Sequence, residues 1–448
     1  MDAVIIGNSR AAVEAIRSFR QNDQDSQLTV ISKEEHPAYC RPLIAEYLSK
    51  EKRYEEILHV PPDFYSKNDA ILLKGVEVIE LNADKKEILT DHNQKYAFDR
   101  LLIATGSKPV VPPIPGVEFS GVHTFWTIAD AQAIAQQIDY SDSAVVIGAG
   151  LVGMSAIHAL HHRGLQVSVV EMLDRVLSPC LDPAGSEIIQ KRMLNLGIDL
   201  YLNKKVTEIL DETNSGEVSG IKLNSGMEIP CQIVVVSAGV RPNIDFLRTS
   251  ALDIDTGILV NENMETSVSG IFAAGDAAQP YDIIHHDNKM IANLPNASEQ
   301  GRIAGANLAG QNIAYQGGLN MTSMRYFGIP FVSMGILSKS ESYHEEVCIF
   351  NSEMSIYRKL ISSEDKLLGA VLVGDIDQAG IILRLIRNNI PIASPKDLLE
   401  RNHSFEEFRK NLMQESMEGH IQWKQSIGLS QPWRKDRGRI PVGKEDSE

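Results

Sequence analysis

Two glycine-rich turns carry the chemistry that this chain most plainly offers. Each follows a short apolar strand: Val4-Ile5-Ile6-Gly7-Asn8-Ser9-Arg10-Ala11-Ala12 and Val145-Val146-Ile147-Gly148-Ala149-Gly150-Leu151-Val152-Gly153. Glycine in such a turn lets the backbone approach a pyrophosphate, and the helix that follows aims unpaired N–H groups and its positive dipole end at the same place. One such turn predicts a bound dinucleotide; two predict a relay of electrons between a pair of them. The second turn is a full G-x-G-x-x-G, and the strand after it ends in Glu171, where an acid holds ribose hydroxyls. An acid there repels the 2′-phosphate of NADPH, so NADH is expected ahead of NADPH, with Arg175 as the nearby cation that works against strict selectivity.

The elements that must position these turns are legible around them. Residues 3 to 110 alternate apolar strands with helical stretches in a βαβ manner and end in Leu101-Leu102-Ile103-Ala104-Thr105-Gly106. The run Val110-Val111-Pro112-Pro113-Ile114-Pro115-Gly116 continues neither helix nor central strand, because proline lacks the N–H and fixes its backbone, so a domain crossing is expected there. A second βαβ unit starts near Ala144 and runs to Val234-Val235-Val236-Ser237-Ala238-Gly239-Val240-Arg241-Pro242-Asn243, where a turn suggests the return crossing. The second nucleotide unit therefore reads as an insertion in the first. Beyond about residue 320, strands such as Phe331–Gly335 and 368–374 precede an apolar helix over Ala379–Arg387.

Composition narrows the class. Lys and Arg total 43 against 59 Asp and Glu, a formal charge of -16 that repels a polyphosphate backbone, so nucleic acid is not an expected partner. No apolar run approaches the roughly 18 residues of a spanning helix, and the first strand begins by Ala3, so neither a membrane span nor a signal peptide is read and the cytoplasm is expected. Cys40, Cys180, Cys231 and Cys348 form no C-x-x-C pair and no cluster with metal-ligand spacing, so neither metal nor a local dithiol is expected.

The two turns, the Ala104-Thr105-Gly106 and Ala238–Asn243 strand ends, and Gly270-Ile271-Phe272-Ala273-Ala274-Gly275-Asp276 occur in an order that resembles the FAD-dependent pyridine nucleotide-disulfide oxidoreductase superfamily, over residues 3 to about 400. Within it, Pro37-Ala38-Tyr39-Cys40-Arg41-Pro42-Leu43-Ile44 resembles the branch of NADH-rubredoxin and ferredoxin reductases and the flavin subunits of electron-transfer complexes. The resemblance implies that Gly7, Ser9 and Ala12 hold the FAD pyrophosphate, that Arg41 and Pro42 line the flavin, and that Asp276 binds the ribityl chain, with Ser32, Thr105, Gly106, Gly275 and Ala297 completing the FAD set. It implies an NAD set of Gly148, Gly150, Leu151, Val152, Gly153, Glu171 and Gly239. Asp276 also earns its place on chemistry, since a short carboxylate at a strand's carboxyl end accepts from a sugar hydroxyl. The stretch Asn293–Arg302 resembles a helix start that faces the flavin pyrimidine, with Asn296 as the expected cap.

This chain also departs from the family pattern. Ser9 replaces the second glycine of the first turn, and Ser32 stands where the FAD ribose usually meets an acid, so Glu34 or Glu35 is the candidate substitute. Ser155 stands where relatives often carry a glutamate near the nicotinamide, and Glu46 where some carry a lysine; pairing of Glu46 with Arg41 is the plain expectation. Cys40 precedes Arg41, whose charge can lower a thiol pKa, yet the redox cysteine of the thiol-using relatives aligns at Pro42 and no His-x-x-x-x-Glu motif follows, so Cys40 reads as structural. His158, His161 and His162 read as packed or solvated imidazoles, and His285, His286 and Asp287 as loop residues without an assigned role.

The expectation is an α/β protein of two Rossmann-like dinucleotide-binding domains plus a C-terminal α+β interface domain. The FAD domain takes residues 1–110 and 243–320, the NAD domain 111–242, the interface domain 321–402, and a charged extension 403–448. Its six basic residues from Lys424 to Lys444, interspersed with Trp423 and Trp433, read as a flexible tail or a dock for an acidic partner. The expected function is that of an FAD-dependent NADH:acceptor oxidoreductase, passing a hydride from NADH to FAD and electrons on to a redox protein or an iron–sulfur subunit, with no catalytic side chain assigned. A homodimer or hetero-oligomer is expected from the interface domain. The alternatives are a thiol, disulfide or persulfide reductase using Cys40, and a non-catalytic nucleotide-sensing subunit.

Overall fold

The first turn forms because a strand that is apolar from Ala3 onward runs into a residue that must be glycine. Asp2–Ile6 is buried from Ala3 onward, and at Gly7 the backbone takes φ +109° with the next chain so close that an added Cβ would lie 2.1 Å from the Ala104 carbonyl oxygen. The second turn repeats the arrangement: Ser143–Ile147 leads to Gly148 at φ +101°, where a Cβ would meet the Ser237 carbonyl oxygen at 2.3 Å. No side chain fits either position.

The computed structural model describes residues 1–338 and 344–400. Contacts divide the chain into one unit, Met1–Ala393, and a second beginning at Ser394, of which the short helix Pro395–Glu400 is described. The expected tail from 403 lies outside the described residues.

The first sheet is parallel and five-stranded. Asp2–Ile6 lies between Gln27–Ser32 and Arg100–Ile103, Ala70–Lys74 flanks the former, and Ile271–Ala273 flanks the latter. That last strand arrives only after the second sheet has been completed, so the second sheet is inserted into the first. The second is also parallel: Ser143–Ile147 lies between Gln166–Glu171 and Ile233–Val236, with Asp199–Leu202 and Val122–Thr124 outside. Such doubly covered strands read as continuous apolar runs, as they do here. The outgoing crossing Ser107–Pro109 and the returning crossing Val240–Pro242 pair antiparallel, Pro109 opposite Val240.

Three features were not read from the sequence. Each parallel sheet carries an antiparallel three-stranded meander, Val78–Asn82 with Glu87–Thr90 and Lys95–Ala97 in one case, and Val206–Leu210 with Gly220–Leu223 and Glu228–Pro230 in the other. The C-terminal antiparallel sheet has five strands, in the order Met321–Tyr326, Ile329–Gly335, Lys366–Val373, Ile356–Ser363, His344–Asn351, with the helix Ala379–Arg387 on it.

The third is the tight pairing of the helices Arg10–Asn22 and Leu294–Leu308. Gly301 and Gly305, one helical turn apart, face the backbone of Ala11 and Ala15, and a Cβ on either would lie within 2.3 Å of a carbonyl oxygen. Around this contact Val13, Ile16, Phe19 and Ile303 are almost fully buried, each contributing on the order of 1.5–3 kcal/mol by leaving water. Close packing brings both helix N-termini to one end of the first sheet.

Candidate functional site

A cavity of about 1190 Å³ opens at the carboxyl ends of the first sheet's strands, where doubly wound sheets hold their ligands. Of the residues expected to hold FAD, Gly7, Ser9, Ser32, Arg41, Pro42, Thr105, Gly106, Gly275, Asp276 and Ala297 line it. Ala12 does not: it is fully buried inside the Arg10–Asn22 helix and serves packing. Of the NAD set, Leu151 and Val152 reach the same cavity, together with Ser155. Gly148, Gly150, Gly153, Glu171 and Gly239 lie outside its wall.

The two turns are unequal in a way the backbone explains. An added Cβ at Gly150 would meet nothing within 4 Å, so the second turn keeps open room on the side a pyrophosphate approaches, whereas Ser9 places a side chain at the matching point of the first. Ser9 makes no capping hydrogen bond, which leaves the helix's first N–H groups available. Gly153 packs so closely that a Cβ would lie 2.0 Å from the Gly148 carbonyl oxygen. Glu171 is fixed by its own turn: its carboxylate accepts from Ala149 N–H at 2.7 Å and Leu173 N–H at 2.9 Å. Arg175 is turned to Asp174 at 2.7 Å and to the Leu181 carbonyl.

Arg41 corrects one expectation. Its guanidinium pairs with Glu34, not Glu46, and donates to Tyr39 Oη and to the Trp126 carbonyl at 3.0 Å, stacked between the Tyr39 and Trp126 rings. Glu34 comes round on the turn after Ser32, whose hydroxyl donates to the Glu34 carbonyl. Burial works against the charge on Arg41, but Tyr39 and Glu34 outweigh it and hold the guanidinium firmly protonated. Glu34 is thereby committed, which leaves Glu35, exposed on the cavity wall, as the other acid of that turn. Glu46 instead lies half-buried with Oε2 lacking any hydrogen bond, and burial pushes its carboxyl pKa up.

Asp276 follows the strand Ile271–Ala273 in a 3₁₀ turn, begun by Gly275 at φ +74°. Burial raises its pKa, opposed by the Ser107 hydroxyl at 3.2 Å and by Arg41. The helix Leu294–Leu308 is capped by Asn293, whose side chain accepts from Asn296 N–H at 3.0 Å, so the expected cap at Asn296 is corrected by three positions. Asn296 is buried and donates to the Leu319 carbonyl instead.

Ser155, in place of an acid, bonds the Tyr326 hydroxyl at 3.1 Å, and Tyr326 donates to the Leu151 carbonyl at 2.9 Å. The C-terminal sheet thus grips the start of the helix Leu151–His162, and its residues Met321–Met324 complete the cavity wall. His158 packs edge-on to Phe327, and burial lowers its pKa. His285 and His286 bond within their own hairpin, to Asp282 and Tyr281.

Cys40 is half-buried, and burial raises its thiol pKa. A protonated thiol is a poor nucleophile, and Cys40 does not line the cavity, whose wall holds Pro42. Cys40→Ser should therefore leave NADH-to-dye turnover within about twofold of the parent; abolished turnover in steady-state assays would restore a thiol step.

The wall fits the groups the turns predict. Asn8 Nδ2, Thr105 Oγ1 and Asn293 Nδ2 are buried on lining residues with no hydrogen-bond partner, an arrangement that costs free energy unless a ligand supplies the partner. Among the described residues no group of three or more His, Cys, Asp or Glu is arranged to hold a metal, and no helix is long and apolar enough to cross a membrane.

Fold and cavity define an oxidoreductase built on two dinucleotide-binding sheets. The family model for pyridine nucleotide-disulphide oxidoreductases matches residues 1–301, and that for the rubredoxin NAD+ reductase C-terminal domain matches 321–390. The chain belongs to the pyridine nucleotide-disulphide oxidoreductase family, whose members bind FAD and use NADH or NADPH. It is similar to the assimilatory nitrate reductase electron transfer subunit of Bacillus subtilis, 28% identical over 89% of this chain and 51% of that protein. It is also similar to the epsilon subunit of the NADH-dependent phenylglyoxylate dehydrogenase of Aromatoleum evansii, 30% identical over 86% and 90% of the two chains. The chain spans about half the length of its two Bacillus subtilis relatives, 51% and 48%. A ferredoxin reductase from Rhodopseudomonas palustris has the same fold, with TM-score 0.82 and 23% identity over 90% of this chain and 98% of that one.

Proposed function

We propose that the protein is an FAD-dependent NADH:acceptor oxidoreductase that delivers electrons to a protein partner. One observation carries this reading: a single cavity runs from the Gly7 turn past Asp276 and the Arg41–Pro42 segment to Leu151 and Ser155, and no cysteine lines it. FAD supplies the chemistry, taking a two-electron equivalent from NADH and releasing electrons singly or in pairs. The chain's own residues bind and orient. Gly7, Ser9 and the helix that Ala12 anchors receive the pyrophosphate of FAD; Ser32 and Glu35 face its ribose; Arg41, Pro42, Thr105 and Gly106 frame the ring; Gly275 and Asp276 hold the ribityl chain; and Ala297 brings a helix start to the ring's edge. Gly148, Gly150 and Gly153 form the NADH turn, Leu151 and Val152 carry it to the cavity, Glu171 accepts from ribose hydroxyls, and Gly239 gives the return crossing its bend.

The same reading divides the chain at 1–110 with 243–320, at 111–242 and at 321–402, and places it in the cytoplasm as a homodimer or within a larger complex. The acceptor is a small redox protein or an iron–sulfur subunit, as the electron-transfer and dehydrogenase-subunit relatives suggest. Purified protein should show a flavin spectrum that NADH bleaches; a colourless protein, or a flavin untouched by NADH, would overturn the proposal.

Donor preference follows from Glu171 and Arg175. With the carboxylate pinned by two amides and Arg175 held by Asp174, NADH should reduce the protein far better than NADPH. Glu171→Ala should lower kcat/KM for NADH by about tenfold, the loss of ~1.4 kcal/mol of charge-assisted hydrogen bonding, while narrowing the gap to NADPH. Stopped-flow reduction with each nucleotide measures both, and an unchanged ratio would remove Glu171 from the ribose site.

A further inference from the structure

Arg10 belongs to no role assigned above. It enters the cavity wall from the first position of the helix Arg10–Asn22. Its Nε donates to Ser298 Oγ at 2.5 Å, and Nη1 donates to His59 Nε2 at 2.5 Å. Ser298 sits in the opening turns of the facing helix and is itself anchored to the Leu294 carbonyl at 2.7 Å. The His59 backbone N–H donates to the Ala38 carbonyl at 2.8 Å, which fixes the main chain that carries the ring. Burial, reinforced by Arg10, lowers the His59 pKa, which keeps the ring neutral and able to accept. Two separate stretches of chain thus fix one guanidinium.

Its charge is less compensated than that of its neighbours. Arg41 is matched by Glu34, Lys108 by Asp245, and Lys33 by Glu77 at 2.9 Å, while Arg248 is 80% exposed to water. The acid beside Arg10 is Glu14 at 3.4 Å, and Glu14 makes its shorter bond, 2.8 Å, to Arg17. Ser298 directly follows Ala297, and Arg10, Ala297 and Pro42 line the same cavity, so the guanidinium is held on the side where the ring is placed above. Glu46, where some relatives carry a lysine, does not line the wall.

We infer that Arg10, positioned by Ser298 and His59, is the cation that stabilises the negative charge gained by the bound flavin ring on reduction, and so sets its potential. The inference rests on the FAD reading above. A fixed charge at a partly desolvated wall interacts far more strongly than in bulk water. Because it favours the reduced state selectively, it must tighten binding of reduced FAD over oxidised.

The experiment compares FAD-loaded Arg10→Gln with the parent by redox titration against a reference dye, and by fluorescence titration of oxidised FAD into apoprotein. Oxidised FAD should bind within about twofold of the parent, whereas reduced FAD should bind roughly tenfold less tightly, read as a potential about 30 mV lower. Ser298→Ala and His59→Gln, which leave the cation but release it, should move the potential part of the way, and Arg10→Lys less than Arg10→Gln. Lys191→Gln, an equal charge change at a site 63% exposed and outside the cavity wall, should not move it. An unchanged potential in Arg10→Gln, an equal loss of affinity in both redox states, or an equal shift in Lys191→Gln would overturn the inference. A parent protein that takes up no FAD would instead overturn the functional reading beneath it.

Discussion

Asp182→Ala should cost the folded protein about 3–5 kcal/mol, because it strands a buried cation. Asp182 caps the helix Pro183–Asn195 by accepting from Gly185 N–H at 3.0 Å. It also takes a hydrogen bond from Tyr357 at 2.6 Å and an ion pair from Lys359 at 2.5 Å. Lys359 projects from the C-terminal sheet, and its side chain is 3% exposed. Its second short contact is the neutral Leu337 carbonyl at 2.7 Å, with Glu346 at 3.7 Å. Burial and the neighbouring Asp182 raise the Tyr357 pKa, so the phenol remains a donor throughout the working pH range. The joint therefore couples the second nucleotide sheet to the C-terminal sheet through one carboxylate. Denaturant unfolding of the holoprotein measures the loss, and adding Lys359→Met should recover most of it by removing the orphaned charge. A loss under about 1 kcal/mol would place the ion pair among those worth little.

Gly301→Ala and Gly380→Ala make the same chemical change and should have opposite signs. At Gly301 the new Cβ would lie 2.1 Å from the Ala11 carbonyl oxygen and 2.8 Å from Ala11 Cα, both backbone atoms of a helix that cannot yield locally. Overpacking of this kind costs about 1–3 kcal/mol, and the shift would separate the two helix starts at the cavity, so FAD retention should fall roughly tenfold with it. At Gly380, in the helix Ala379–Arg387, a Cβ meets nothing within 4 Å. There alanine should stabilise by about 0.5–1 kcal/mol through the lower backbone entropy of the unfolded chain. Thermal unfolding and flavin content of the two variants check both signs. Equal effects would mean that the helix contact at Gly301 is looser than the structure shows.

What could be read before folding was whatever depends on near neighbours. The strands around Val4-Ile5-Ile6 and Val145-Val146-Ile147 announce themselves because they are buried on both sides, and the glycine after each is forced by the chain packed against it. The position of Glu171 at the end of its strand was legible because strand and turn fix it. Partnerships across the fold were not. Arg41 had Glu46 nearer in sequence, yet the turn after Ser32 brings Glu34 to it. Asn293 rather than Asn296 caps its helix because Asn296 is drawn inward by the Leu319 carbonyl. The Arg10–Ser298 bond joins residues of two helices that meet only once the sheet has formed. Gly301 and Gly305 carry no local signal of their role, which is to be the surface on which another helix rests. The meanders escaped notice because their short strands alternate too briefly to stand out from loops.

The pairing of Ser107–Pro109 with Val240–Pro242 has a consequence for how such a chain changes over generations. Pro109 faces Val240 across one ladder, so the points where the chain departs and returns are neighbours. Everything between them could be cut out and the ends rejoined by a short turn without opening the first sheet. The inserted sheet is in this sense a cassette whose two plugs share a socket. Recombination that replaces the inserted sheet has a single junction to solve, but the replacement must also supply what Trp126, Leu151 and Ser155 give the cavity wall.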